Sequence, residues 1–330
     1  MRELDLTRED PRCLIPLKEA VYGKKISRPM FEWQYLRHPN ASDMHIFVVE
    51  KDGFIVASTT RFPARFLIRG TPHAAYFNID SMVHPEHRRR GKMRELYLFA
   101  RQHIAHSPLF FSKGSSSTII PLLLSIHHRT LAPNTYLVNY PSVKRWILSR
   151  MGRVTHVVES TVEPPSGFSD FQPVRRFGAE FNAFFERIAP AFPGIFWRDA
   201  EYMNWRYVDF PARRYACFAR QIEGRTVAVL VVSIDDVHSR IVDLLWDPAW
   251  PGEPLRTVRF VRALAKKLEF VRLACFATHP ELRAALEDQA FYDRGETPRF
   301  SAFVPPSCEE TFDRSWPMHV VDGDGDTEFS

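Results

Sequence analysis

Val83-His84-Pro85-Glu86-His87-Arg88-Arg89-Arg90-Gly91-Lys92-Met93 joins an apolar, strand-like run from Ala75 to Val83 to a stretch of helical period that begins near Lys92. Pro85 stops the strand, because proline has no N–H to give to a ladder. Leu96, Phe99, Ala100 and His103 then recur at the spacing of one helix face. The order is strand, basic turn, helix N-terminus. The first amides of a helix have no intrahelical partner and lie at the positive end of its dipole, so a helix start is a ready pocket for phosphate oxygens. Gly91 lets the backbone approach closely, and Arg88, Arg89 and Arg90 add charge. The chain has no Gly-x-x-x-x-Gly-Lys-Ser/Thr and no Gly-x-Gly-x-x-Gly here, which excludes the P-loop and Rossmann cradles. An arginine triplet alone is equally well a solvated loop; its flanking strand and helix favour the phosphate reading.

The same order of features occurs twice. Trp33-Gln34-Tyr35-Leu36-Arg37-His38-Pro39 is echoed by Trp205-Arg206-Tyr207-Val208-Asp209-Phe210-Pro211. Each is followed by a strand-like run, a turn and a second run: His45 to Glu50, Lys51-Asp52-Gly53 and Phe54 to Thr60 in one copy, Arg214 to Arg220, Ile222-Glu223-Gly224 and Thr226 to Ser233 in the other. A strand closing on Asp-x-x-x-x-Pro comes next, Asp80 to Pro85 and Asp243 to Pro248. In the second copy the helical face is Val258, Val261, Leu264 and Leu268, and short apolar strands close both copies at Pro108 to Phe111 and Phe270 to Ala277. Two copies of one α/β unit are expected, with a boundary in the turn-rich Glu163-Pro164-Pro165-Ser166-Gly167. The domains are then 1–162 and 168–306, followed by a tail over 307–330. Trp33 and Trp205 are read as buried anchors at strand starts.

At 330 residues the chain is long enough for two cores. Its 45% apolar and 25% charged residues are those of an ordinary globular protein. The net charge is +5, and the four acids of Asp322 to Glu328 leave +9 on the remainder, a surplus that favours polyanionic partners. The alternating Asp322, Asp324 and Asp326 lack the later glutamate and flanking helices of a calcium loop, so no metal is expected. Cys13, Cys217, Cys275 and Cys308 form no Cys-x-x-Cys pair, and reduced thiols are expected. The first ten residues mix both charge signs, and no run approaches the length of a bilayer span, so the expected compartment is the cytoplasm.

The run from Val83 to Met93 resembles the acyl-CoA signature of the GNAT superfamily, Arg/Gln-x-x-Gly-x-Gly/Ala after a strand ending in Val-x-Pro. Arg88 and Gly91 occupy the two firm positions, and Met93 stands where the family has Gly or Ala. The resemblance implies an α/β (α+β) chain of two tandem GNAT-like domains, each a mixed, mostly antiparallel sheet flanked by helices. It implies acetyl-CoA or another acyl-CoA as co-substrate and partner, held by the backbone of Met82 and Val83 along the pantetheine and by Arg88, Arg89, Arg90, Gly91, Lys92, Met93 and Arg94 around the pyrophosphate. The second turn, Asp247 to Leu255, has prolines and acids in place of arginines and free amides, so that copy resembles the degenerate partner of tandem GNAT proteins.

In such enzymes an amine attacks the thioester directly in a ternary complex. The chemistry then needs a base, an oxyanion site and a proton for the thiolate. Asp80 is the titratable group on the strand nearest the expected thioester, with Asp243 at the equivalent place as the argument for a structural role. His84 is a second candidate base. The family tyrosine acid is missing from Ser115 to His128, which leaves Tyr140, or Tyr136, or one of His127 and His128, since adjacent helix positions point apart. Ser112 and Ser115 to Ser117 are read as helix caps or cofactor contacts, because no Gly-x-Ser-x-Gly elbow surrounds them. The acceptor expected by analogy is a primary amine of a small molecule or amino sugar. Two other readings stand: an aminoacyl-tRNA-dependent transferase of the Fem type, and a non-catalytic binding protein. With no helix-turn-helix, zinc-finger or RNP-like signature, nucleic acid is not an expected partner.

Overall fold

The computed structural model describes residues 1–104, 109–113, 119–130, 135–151, 162–212, 214–235, 238–293, 300–309 and 319. Ser115 to Ser117 and the acidic stretch from Asp322 to Glu328 lie outside the described residues. The first half supplies β1 (Arg2–Glu3), β2 (His45–Lys51), β3 (Phe54–Ile68), β4 (Thr71–Val83), β5 (Leu109–Lys113), β6 (Arg129–Thr130) and β7 (Thr135–Asn139). Its helices are α1 (Ile15–Tyr22), α2 (Arg28–Tyr35), α3 (Lys92–His103), α4 (Ile119–Ser125) and α5 (Val143–Arg150). The second half supplies β8 (Phe171–Pro173), β9 (Gly194–Phe196), β10 (Arg214–Ile222), β11 (Arg225–Ile234), β12 (His238–Trp246), β13 (Arg272–Ala277), β14 (Tyr292–Asp293) and β15 (Phe300–Phe303). Its main helices are α6 (Ala179–Ile188), α7 (Ala200–Met203), α8 (Glu253–Lys267) and α9 (Pro280–Asp288).

One sheet runs β1-β2-β3-β4-β5-β15-β6, with β9 added along β3, and the other runs β8-β10-β11-β12-β13-β7-β14. Position by position the two orders are the same. Among the described strands β4–β5 and β12–β13 pair in parallel and the others antiparallel, and an isolated parallel bridge joins Ile195 to His319. The correspondence places β15 in the first sheet where β7 stands in the second, so the halves exchange one strand each. Thr135–Asn139 pairs with β13, and Phe300–Phe303 pairs with β5. A cut at 162–168 therefore leaves β7 of the second sheet, and β15 and the added β9 of the first, in the opposite unit. Alternation marks a segment as a strand but carries nothing about which edge receives it.

The two landmark tryptophans meet. The Trp33 and Trp205 rings stack with centroids 4.5 Å apart and planes 5° from parallel. Trp33 Nε1 donates to the Trp205 carbonyl at 2.7 Å, and Trp205 Nε1 donates back to the Trp33 carbonyl at 3.0 Å. The repeat thus forms a reciprocal contact between the halves, in which both indole N–H groups are satisfied within the core. Both tryptophans are buried as expected, but on helical turns rather than at strand starts: Trp33 lies on α2 and Trp205 on the π-turn Asn204–Val208. Among the described residues no helix is long and apolar enough to cross a membrane.

Candidate functional site

The parallel contact of β4 with β5 is short. It spans Ala75 to Phe77 against Leu109 to Phe111. Beyond Phe77 the edge of β4 facing β5 continues to Val83 without a strand partner among the described residues, and the two strands fork. Asn78 Nδ2 donates to Ser112 Oγ at 2.9 Å across the fork's closed end. On its other side β4 stays paired with β3 but carries a bulge, with Asp80 and Ser81 opposite Thr59. Asp80 takes φ +46°, the left-handed conformation that lets the strand bend there.

The open edge leads into the basic turn. The His84 N–H donates to the Val56 carbonyl at 2.9 Å, while His84 Nδ1 accepts from the Glu86 N–H at 3.4 Å and caps the short turn Pro85–His87. Arg88 is exposed and its Nε donates to the Val83 carbonyl at 3.2 Å. Arg89 (φ +62°) and Gly91 (φ +72°) are both left-handed, and Gly91 is the N-cap of α3. No side chain caps that helix, and its first internal bond runs from the Glu95 N–H to the Gly91 carbonyl at 3.1 Å. The amides of Lys92, Met93 and Arg94 therefore precede the helix ladder, in an anion-binding arrangement of successive N–H groups. Arg89, Arg90 and Arg94 are exposed, and Lys92 Nζ pairs with Glu95 at 3.0 Å. Met93, the bulky residue of the signature, is partly buried and packs against the cluster of Tyr97, Leu123 and Ile126.

On the face covered by α1 and α2, Asp80 is a buried anchor. Its Oδ2 accepts from Lys18 Nζ at 2.7 Å, from Gln34 Nε2 at 3.0 Å and from the Tyr35 hydroxyl, and its Oδ1 accepts from the Tyr22 hydroxyl at 3.3 Å. The Lys18 and Asp80 side chains are 2% and 3% exposed. Burial and then the Asp80 charge raise both tyrosines above the ordinary phenol range, so they stay protonated donors at neutral pH. Asp243 repeats the device, accepting from Arg198 Nε at 2.8 Å and the Tyr207 hydroxyl at 3.0 Å. Tyr35 and Tyr207 are the third residues of the two tryptophan motifs, which explains why both motifs keep a tyrosine there.

The α3 face carries a second polar group of residues. Arg61, on β3 opposite Asn78, is buried; its Nη1 donates to Thr59 Oγ1 at 2.7 Å and its guanidinium lies 4.6 Å from the Tyr97 ring centre. Thr59 Oγ1 is 3.0 Å from Ser81 Oγ, which is 2.7 Å from the Tyr97 hydroxyl. No carboxylate acts on Arg61 among the described residues, and burial pulls its guanidinium down to about 10. His128 is buried and pulled down to about 3, first by desolvation and then by the charges of Arg61 and Arg101. His127, next to it, is exposed with φ +66°, so one of the adjacent pair faces inward, as the spacing required.

The sequence-predicted residues thus divide. Asp80, Met82 and Val83 share β4, and Met82 is buried while Val83 is half-buried at the mouth of the turn. His84 is engaged in capping. Tyr140 packs against Trp146 and Tyr292, beside the second sheet, and no described contact brings it to Asp80. Lys18, Tyr22, Arg61 and Tyr97 escaped the sequence reading because they come from three separate elements, α1, β3 and α3. Superposing the two copies residue by residue would have flagged Arg61 as polar where the second copy is apolar.

The second fork shows what the first lacks. β12 pairs with β13 only from His238 to Ile241, so it forks too, and Gly252 (φ +77°) caps α8 as Gly91 caps α3. Between proline and glycine, however, that turn has three residues, Ala249-Trp250-Pro251, instead of five. Pro254 removes an early amide of the helix, and Glu253 is buried against Arg220 and Thr257.

Residues 5–109 match the acetyltransferase (GNAT) domain family. No curated protein matches the chain in sequence. Among solved structures the chain is similar to a GCN5-related N-acetyltransferase from Anabaena variabilis, with 10% identity over 91% of this chain and 72% of that one and a TM-score of 0.66. A conserved protein of unknown function from Enterococcus faecalis, a probable N-acyltransferase, gives 13% identity, 91% and 72% coverage and a TM-score of 0.60. The N-myristoyltransferase of Saccharomyces cerevisiae with bound myristoyl-CoA gives 12% identity, 92% and 82% coverage and 0.59. At these identities the likeness to solved structures is one of fold. The acetyltransferase (GNAT) domain match lies in the first half of the chain, which holds the open fork and the basic turn.

Proposed function

We propose that the protein transfers an acyl group from coenzyme A to a primary amine of a small molecule or amino sugar, by direct attack within a ternary complex. The observation that carries this reading is the continuous path from the open edge of β4 into the turn at Arg88 to Arg94. Backbone groups of Met82 and Val83 take the pantetheine arm. The amides of Lys92, Met93 and Arg94, with Arg88 and Arg90, take the pyrophosphate. The second half serves as a copy that has lost the cofactor turn and completes the fold.

Positioning supplies much of the rate, since a thioester is already activated. Asp80 acts as the anchor of α1 and α2 rather than as the base, because its lone pairs are occupied by an ammonium, an amide and two hydroxyls. The proton for the departing thiolate comes from the Tyr97 hydroxyl through Ser81, the hydroxyl pair that adjoins Met82. Tyr140 and His84 have no part in this assignment. Titration calorimetry of the purified protein with acetyl-CoA and with longer acyl-CoA tests the reading: saturable binding is expected, and no heat with any acyl-CoA or free coenzyme A overturns it.

A further inference from the structure

Arg61 is a buried cation with no carboxylate beside it among the described residues. Its side chain is among the largest fully buried in the chain, yet only Nη1 has a partner among the described residues, and Nε has none. Burying a guanidinium without an anion is costly unless an anion arrives. Asn78 Oδ1 and His128 Nδ1 are also buried without partners among the described residues.

The fold does not demand this polarity. When the halves are aligned on Asp80 with Asp243 and on Gly91 with Gly252, following the strand registers, Arg61 falls on Val232, Asn78 on Ile241 and His128 on Phe291. Thr59, Ser81 and Tyr97 fall on Leu230, Leu244 and Val258. All six counterparts are buried apolar residues of the second core. The same fork, closed with hydrocarbon in one half, is lined in the other by a guanidinium and two orphaned polar groups.

The position of Arg61 says what the missing anion is. Arg61 pairs with Asn78, the first residue of β4 past its last contact with β5, at the closed end of the fork and on the face of α3. An acyl-CoA entering at the basic turn runs back along β4 from Val83, and Asn78 is five residues away, about 16 Å at the rise of a strand. The thioester then falls near the bulge at Asp80 and Ser81, and the far end of the acyl group reaches toward Arg61, two to three residues further, about 7–10 Å.

On the basis of the acyl-CoA reading above, we propose that Arg61 is the receptor for a carboxylate at the end of the acyl chain, so that the donor is a carboxyacyl-CoA of three to five carbons. His128 completes the pocket by donating its Nδ1–H to the carboxylate. The chemistry transferred is unchanged: the amine nitrogen bonds to the thioester carbon, the C–S bond breaks, and the thiolate takes a proton, leaving an amide that carries a free carboxylate.

Calorimetry with succinyl-CoA, butyryl-CoA and free coenzyme A tests this, because butyryl-CoA has the same chain length with a methyl in place of the carboxylate. Succinyl-CoA is expected to bind at least tenfold tighter than butyryl-CoA, and Arg61→Met to bring that ratio to about one. Arg61→Gln and His128→Phe give the same direction should the methionine variant fail to fold. Equal binding of the two acyl-CoA molecules by the unsubstituted protein, or a ratio that survives in the Arg61 variants, overturns the inference and leaves the acyl-CoA reading intact. Failure of free coenzyme A and of both acyl forms to bind overturns both. A carboxylate supplied by the acceptor would instead appear with acetyl-CoA as an Arg61-dependent KM for an amino acid and not for the amine lacking its carboxylate; that result overturns the donor assignment.

Discussion

The two forks of this chain are a controlled comparison made by one polypeptide. Both have a strand that leaves its parallel neighbour, a bulge in the pairing beside a buried aspartate, and a left-handed glycine at the start of a long helix. They differ in the lining of the fork and in the turn beyond it. The first opens into five turn residues, three of them arginine, and free helix amides. The second has a shorter turn, a proline inside the helix start, and Trp246 fully buried against Phe192, His279 and His319. Aspartate, bulge and glycine are therefore requirements of the fold. The arginines, free amides and polar lining, which the second half does without, are the features assigned to the proposed ligand.

The aspartates offer the largest effect. Asp80→Asn leaves Lys18 buried beside a neutral amide, and Asp243→Asn does the same to Arg198, whose side chain and that of Asp243 are each 1% exposed. Breaking a buried pair by removing one charge costs about 3–5 kcal/mol. Denaturant unfolding should show both variants destabilised to a similar extent. If Asp80→Asn unfolds within about 1 kcal/mol of the parent but loses turnover, Asp80 is a base after all and the symmetry of the two sites is superficial.

Next comes the turn. Arg88→Ala with Arg90→Ala removes two charged donors, worth together about 3 kcal/mol, or about 100-fold in affinity for coenzyme A. Arg256→Ala, in the first turn of α8 where the guanidinium pairs with Asp170, should leave that affinity unchanged. Comparable losses from both would mean that the second turn binds ligand too.

How much of this was open to reading in the sequence depends on range. The turn, its strand and its helix are local, and a proline, a glycine and a 3.6-residue period mark them within about 20 residues of chain. The repeat was legible because Trp33 and Trp205 recur with their tyrosines, and the match of Asp80 to Asp243 already pointed to a shared structural role. The exchange of β7 and β15 was not legible, since Thr135–Asn139 looks the same whichever edge receives it. Nor was the lining of the fork. Arg61 on β3, Tyr97 on α3 and His128 after α4 become neighbours only through the register of β3 on β4 and the packing of α3, which no short window contains.

His128 sharpens the comparison through pH. Its imidazole is held at about 3 in the folded chain, against an ordinary value of 6.5, so between those limits the unfolded chain binds a proton that the folded one does not. Stability therefore rises with pH across that window, by up to about 1.4 kcal/mol per unit, and is flat above it. His128→Phe installs the residue found at the matching place in the second half. The variant should lose about 1–2 kcal/mol less stability than the parent between pH 7 and pH 5, as read from urea midpoints. An identical loss would show that His128 does not stay neutral in the folded protein.

The smallest effect separates fold from ligand most cleanly. Gly91 and Gly252 have nearly the same conformation, φ +72° and +77°, and an added Cβ meets only Glu95 Oε1 at 3.7 Å at the first and nothing within 4 Å at the second. Alanine at either position costs the backbone strain alone, about 1 kcal/mol each, with no clash to separate them. Thermal unfolding should therefore rank Gly91→Ala and Gly252→Ala as equals. Affinity for coenzyme A should not, because a methyl at position 91 would stand against the helix amides proposed to hold the pyrophosphate, while one at 252 would face the turn proposed to bind none. Equal stability with unequal affinity confirms that one backbone device serves two purposes; a drop in affinity from Gly252→Ala as large as that from Gly91→Ala would erase the distinction between the halves.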